Sequence, residues 1–129
     1  MSEFVLDASA LIAMLKQEKG AAKVSKAIAS ARMSAVNYAE VVSHFAFHGM
    51  PAAAIDAMLD PLPIAIVPAD QTTSRLAGRL RAVTASAGLS LGDRYCLALA
   101  QRDGLPAWTG DTHWNLVAQD TGVKVVQIR

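Results

Sequence analysis

Four carboxylates stand where their neighbours argue for burial or for the start of a helix. Asp7 directly follows Phe4, Val5 and Leu6, Glu40 lies in NYAE, Asp93 in SLGDRYCLALA, and Asp111 in WTGD. A charge at the end of an apolar run needs a partner, because burying it alone is costly. Four carboxylates facing one another repel unless a cation sits among them. Hard oxygen donors at that density suit Mg2+, or Mn2+, and a site of this kind holds a phosphate and activates a water.

Taken singly, three of the four have simpler readings. Asn37-x-x-Glu40 and Ser90-x-x-Asp93 both fit a capping box, in which the acid reaches back to the cap's backbone N–H. Asp111 fits the N-cap of a short helix through His113 and Leu116, and any acid in a first turn complements the helix dipole. Asp7 fits such readings worst, since Ser9 is available to cap the next helix and no nearby residue supplies a cation. The set carries the inference, not any one member.

The elements that must position these acids alternate between strand and helix. Residues 3–7 read as a buried strand, 9–17 as a helix capped by Ser9, 20–32 as a second helix and 33–36 as a second strand. Asn37 opens a longer helix to Gly49, Pro51 starts another that ends before Pro61, and residues 63–68 form a strand between prolines. Residues 70–87 and 90–102 read as helices, with Leu76, Leu80 and Val83 at helical spacing in the former, and 106–109 and 123–128 as the last strands. Continuous apolar strands between helices indicate a parallel sheet covered on both faces, so the fold class is α/β. In such sheets the carboxyl ends of the strands form the ligand crevice, where all four acids are expected.

Composition is permissive. The chain has 129 residues, 53% hydrophobic and 18% charged, which is enough for one α/β domain over residues 1–129 with a sizeable core. The formal charge of +1 does not advertise nucleic-acid binding, but acidic ligands would cancel basic residues in that sum. Cys96 is the single cysteine, in an apolar run, and reads as a buried thiol. No apolar stretch reaches membrane-spanning length and Met-Ser-Glu-Phe lacks the basic start of a signal peptide, so a cytoplasmic protein without membrane contact is expected.

The segments around the acids resemble the PIN-domain family, specifically the VapC-type toxin ribonucleases of toxin–antitoxin pairs. VLDASALIAML is similar to the family's opening Asp-x-Ser-Ala segment, SAVNYAEV to its second, GLSLGDRYCLALA to its third and WTGDTHW to its fourth. The resemblance implies a three-layer α/β/α sandwich with a mainly parallel sheet, metal-dependent endonucleolytic cleavage of RNA, a homodimer, and inhibition by a cognate VapB-like antitoxin. DNA contact would then arise only through the antitoxin. Asp7, Glu40, Asp93 and Asp111 become the acidic quartet, serving catalysis and metal binding, and Ser9 and Thr109 match small hydroxyl positions near the metals. Asn115 departs from the pattern, since many relatives carry another acid or a different polar residue there, and it is taken as a supporting group.

A strongly negative pocket that takes RNA needs basic residues at its rim. Arg94, Arg75 and Arg79 are the candidates, the last two sharing a helix face at i and i+4. His44 and His48 have the same spacing but lack the Glu of H-E-x-x-H, and read as helix surface or a dimer contact. Trp108 and Trp114 flank Asp111 and could stack on bases or pack in the core. Competing functions fit less well. A response-regulator receiver domain needs an acidic pair after the first strand and a late-strand Lys, a haloacid-dehalogenase-type phosphatase needs Asp-x-Asp where this chain has Ser9, and a binding module without catalysis would not need all four acids. A PIN-domain RNA-processing nuclease outside toxin–antitoxin systems is the remaining alternative.

Overall fold

Among the described residues every strand pairs in parallel, and the order in which they pair places a crevice beside Asp7. The structure, a computed structural model, describes residues 2–129. In chain order the elements are β1 (Phe4–Leu6), α1 (Ala8–Leu15), α2 (Ala21–Ala27), a 3-10 turn (Ile28–Ser30), β2 (Ala31–Ser34), α3 (Ala35–Phe47), α4 (Ala52–Leu59) and β3 (Ala65–Val67). They continue with α5 (Gln71–Arg79), α6 (Arg81–Thr84), a 3-10 turn (Ala85–Ala87), α7 (Leu91–Asp103), β4 (Ala107–Thr109), a 3-10 turn (Thr112–Leu116), α8 (Ala118–Thr121) and β5 (Val125–Gln127). The sheet order is β3-β2-β1-β4-β5. Val5 pairs with Arg32 on one side and with Ala107 on the other. The connection direction therefore reverses between β1 and β4, and the crevice outside their carboxyl ends is where ligands bind in sheets of this kind.

Two cores, one on each face of the sheet, make this a three-layer α/β/α sandwich. Phe4 and Leu6 of β1 pack with Leu11, Val24, Met33, Val41, Phe45, Ile55 and Leu59, so α1 to α4 cover that face. Val5 points the other way, into a cluster with Ala77, Leu80, Leu97, Leu99 and Trp114 under α5 and α7. Both faces of the central strand are buried, which is why its sequence reads as an apolar run and not as an alternation. Among the described residues no helix is long and apolar enough to cross a membrane.

Several element boundaries differ from the sequence reading, each for a local reason. Asp7, not Ser9, caps α1: its backbone is extended (φ −89°, ψ 173°) and its Oδ1 accepts the Ala10 N–H at 2.8 Å. Ser34, not Asn37, caps α3 by accepting the Val36 N–H at 3.2 Å, so the second strand ends two residues early. The second helix stops at Ala27, and Arg32 lies in β2, where its Nη1 donates to Asp103 Oδ2 at 2.6 Å. The helix read over 70–87 breaks after Arg79, which leaves Val83 43% exposed, outside the core.

Candidate active site

Asp7 ends β1 and is only 3% exposed. Its carboxylate is held from three directions. The Ala10 amide donates to Oδ1 at 2.8 Å, Thr109 Oγ1 donates to Oδ2 at 2.5 Å, and Ser9 Oγ lies 2.9 Å from both oxygens. Ser9 and Thr109 are thus the groups that orient the acid, one from α1 and one from the end of β4 across the crevice. Thr109 Oγ1 also accepts the Asp111 N–H at 3.0 Å, and Ser9 Oγ accepts the Gly110 N–H at 2.9 Å, which ties the loop after β4 to the same carboxylate.

Glu40 and Asp93 are brought beside each other by α3 and α7. Asn37, one turn before Glu40 and 1% exposed, donates from Nδ2 to Glu40 Oε1 at 2.8 Å and to the Gly92 carbonyl at 2.9 Å. The Glu40 carboxylate rests against Gly92, where any Cβ would collide with it. Glycine at the first turn of α7 is what lets the two helices bring Glu40 beside Asp93. Asp93 forms a capping box with Ser90, accepting the Ser90 N–H at 2.9 Å. The simpler reading of Asp93 is therefore true as well, and it fixes the carboxylate at the helix start.

Asp7 and Glu40 each feel the charge of Asp93. Burial pushes the Asp7 carboxyl up from its ordinary 3.8 to about 7; the hydrogen bonds from Thr109, Ala10 and Ser9 oppose the rise, and the charge of Asp93 adds to it. Partial burial raises Glu40 too, with the Asn37 hydrogen bond opposing and the charge of Asp93 adding. Cys96, wholly buried beneath them, has its thiol pushed well up by burial and then by the charges of Asp7, Asp93 and Glu40, so it is inert. Asp111 stands apart. Its Oδ1 accepts the His113 N–H at 2.8 Å and lies 2.9 Å from His113 Nδ1, capping the turn Thr112–Leu116. Only its backbone joins the site, through Thr109.

Other expected site residues lie elsewhere. Arg94 is buried: it is 7% exposed, and its Nε donates to the Ser90 carbonyl at 3.3 Å. The reason is that α7 is enclosed by the sheet, α3 and α5 and leaves no solvated face at that position. Arg75 and Arg79 are exposed on α5, with no acidic partner within 4 Å among the described residues. Asn115 is exposed and accepts from Gln127 Nε2 at 3.3 Å, the same amide that donates to the Asp111 carbonyl at 2.9 Å. Trp114 is wholly buried, and Trp108 is stacked on Phe4 at 4.0 Å with Lys23 Nζ 5.2 Å from its ring centroid. His48 Nδ1 meets the His44 carbonyl at 2.7 Å at the end of α3. Asn37 and Gly92 are the site residues that the sequence reading did not single out; the Asn37-x-x-Glu40 spacing was visible but pointed to a cap.

The sequence matches the PIN domain family over residues 4–120. This chain belongs to the PIN-domain family. It is 32% identical over 112 residues to the VapC ribonuclease Mb2780c of Mycobacterium bovis, covering 79% of this chain and 86% of that protein. Ribonuclease VapC42 of Mycobacterium tuberculosis matches with the same identity and coverage. The fold is similar to that of DNA-bound VapBC from Salmonella typhimurium, with a TM-score of 0.79 and 16% identity over 100% of both chains. It is also similar to a toxin–antitoxin complex from Klebsiella pneumoniae, with a TM-score of 0.71 and 22% identity over 98% of both. Membership of this family sets aside the receiver and phosphatase readings and makes a nuclease the activity to be derived from the acids.

The chemistry of the donor set fits a divalent cation. The groups converging on the crevice are hard oxygens, and Asp93 raises the pKa of both Asp7 and Glu40, a mutual cost that a cation would relieve. Asn37 Oδ1 is a further oxygen there, buried and without a hydrogen-bond partner among the described residues. No group of three His, Cys, Asp or Glu among the described residues is close enough to hold an ion in this structure.

Proposed function

We propose that this protein, residues 1–129 as one PIN domain, is the toxin of a VapBC-type pair: a cytoplasmic, divalent-metal-dependent endoribonuclease restrained by a VapB-like antitoxin. The observation that carries the reading is the Asp7 carboxylate, buried at the crevice between β1 and β4 and clamped by Ser9 and Thr109, with Asp93 within electrostatic reach of both Asp7 and Glu40. The similarity to proteins named VapC ribonucleases supports the substrate class.

Asp7, Glu40 and Asp93 are the proposed metal ligands, with Asp111 a fourth that must turn from His113 to join them. A bound Mg2+ or Mn2+ supplies Lewis-acid polarisation of a phosphodiester and a lowered water pKa. The chain's own residues supply the rest. Ser9 and Thr109 fix the plane of the Asp7 carboxylate, and Asn37 holds Glu40 against Gly92. Hydrogen-bonding neighbours of this kind set ligand orientation and are typically worth about 10- to 100-fold in activity or affinity. A proton on Asp7 must leave before its oxygens can hold a cation, and Thr109 and Ser9 favour the charged form that results.

A second copy and the antitoxin are the proposed protein partners. The α3 surface supports an interface: a groove of about 630 Å³ runs from Glu40 past Ser43 to Phe47, which is 87% exposed. A basic antitoxin side chain entering the carboxylate crevice would displace metal or phosphate. The test of the activity is cleavage of single-stranded RNA by the purified protein. We expect cleavage with Mg2+ or Mn2+, its loss in EDTA and its return on adding the ion; full activity in EDTA, or none with either ion, contradicts the reading.

A further inference from the structure

Arg129, two residues beyond β5, brings a free cation to the edge of the acid site. A Cβ built on Gly110 would lie 2.9 Å from Arg129 Nη2, 3.2 Å from its Cζ and 3.4 Å from Ser9 Oγ. Gly110 does not have a left-handed φ, so the backbone does not require glycine there. What the missing side chain provides is a seat for the guanidinium, one side chain removed from Asp7. Of the five N–H donors, one has a partner among the described residues: Nη1 lies 3.3 Å from the Lys19 carbonyl. No acid lies within 4 Å of Arg129 among the described residues, whereas Arg32 and Arg102 both have one.

The surroundings of Arg129 are basic in a way the whole-chain charge conceals. Lys16, Lys19, Lys23 and Lys26 share their stretch with a single acid, Glu18, which pairs with Lys16 at 3.6 Å. Lys23 Nζ reaches the Gln127 carbonyl at 3.2 Å, so this stretch and the segment after β5 form one surface. An acid crevice flanked by unneutralised cations on its β4–β5 side fits a polyanion whose reacting phosphate enters the crevice while a neighbouring phosphate is held outside it.

We infer that Arg129, seated on Gly110, binds a phosphate of the RNA strand adjacent to the one cleaved and positions that strand over Asp7. This rests on the ribonuclease reading above and names the surface through which its substrate is held. Arg129 replaces Arg94 as the basic residue at the rim, and its role is positioning, since it touches no reacting atom.

Steady-state cleavage of a fluorophore–quencher single-stranded RNA in Mg2+, over about 50 to 200 mM salt, tests it. Arg129→Ala is expected to raise KM about fivefold while kcat changes by less than about twofold, a size suited to an exposed ion pair. The slope of log(kcat/KM) against log[salt] should become shallower by about 0.7, the loss of one phosphate contact on a single strand. Arg129→Lys should restore most of that slope. Gly110→Ala should raise KM by displacing the guanidinium, and its effect should vanish in the Arg129→Ala background. Lys124→Ala, before β5 at the opposite edge of the sheet, should leave KM unchanged. The inference is overturned if Arg129→Ala matches wild type in KM and slope, if the Gly110 and Arg129 effects add fully, or if Lys124→Ala behaves like Arg129→Ala. A wild-type protein that cleaves no RNA overturns the ribonuclease reading first, and this inference with it.

Discussion

Asp7 carries two opposing demands. It is the N-cap of α1, which favours its charge through the Ala10 amide, and it is buried, which opposes that charge. Burial wins in the metal-free protein, with the carboxyl raised to about 7. The folded state then holds a proton that the unfolded chain releases at its ordinary 3.8, so the contribution of Asp7 to stability is most favourable at low pH and falls as pH rises from about 4 through about 7. Asn caps helices as well as Asp does and has no charge to bury. Asp7→Asn should therefore match wild type in stability below pH 4. It should exceed it by up to about 4 kcal/mol above pH 7, in urea unfolding with EDTA present. A constant difference across that range would show that burial does not govern this carboxyl. The sequence displayed the acid and the apolar run before it; it did not display that Asp7 would take the cap from Ser9, because that depends on the extended backbone at the strand's end.

At the scale of elements, the junction of α3 and α7 aligns two of the acids. Gly92 gives the Glu40 carboxylate its place, and Asn37 bonds to both sides of the contact. Alanine is a better helix former than glycine, so Gly92→Ala should leave the melting temperature within a few degrees of wild type. It should also displace Glu40 and lower the RNA cleavage rate about tenfold or more; unchanged cleavage in a folded Gly92→Ala protein would remove Glu40 from the site. The other end of α7 is tied to β2, where Asp103 accepts from Arg102 Nε at 2.8 Å and from Arg32 Nη1 at 2.6 Å. Burial opposes the charge on Asp103, but these bonds hold its carboxyl below the ordinary value. The helix periods and the strand–helix alternation were legible because apolar runs at helical or strand length are broken by Pro, Gly and capping residues such as Ser34, Asp70 and Ser90. Arg94 was not, because a helix enclosed on three sides offers no solvated face, and a sequence does not say how many neighbours a helix has.

At the scale of the whole molecule, the sheet order decides which acids meet. Parallel pairing puts every strand's carboxyl end on one edge, and the reversal between β1 and β4 opens the crevice there, with Asp7 on one side and Thr109 on the other. That edge could be anticipated from the alternation of elements, and so could the approach of Asp7, Glu40 and Asp93. The outward turn of the Asp111 carboxylate to His113 could not, since it follows from a three-residue cap that competes locally for the same oxygen. Nor could Arg129 be placed, because its nearness to Gly110 spans β5 and depends on the sheet being closed by that strand. The central claim is that this edge is a cation-binding nuclease site organised on Asp7. The most direct test is single-turnover RNA cleavage in Mg2+ by wild type and by Asp7→Asn, with folding checked by circular dichroism. Wild type should cleave, and a fully folded Asp7→Asn protein should lose about 100-fold or more of that rate; cleavage by the variant at the wild-type rate would remove Asp7 from the site.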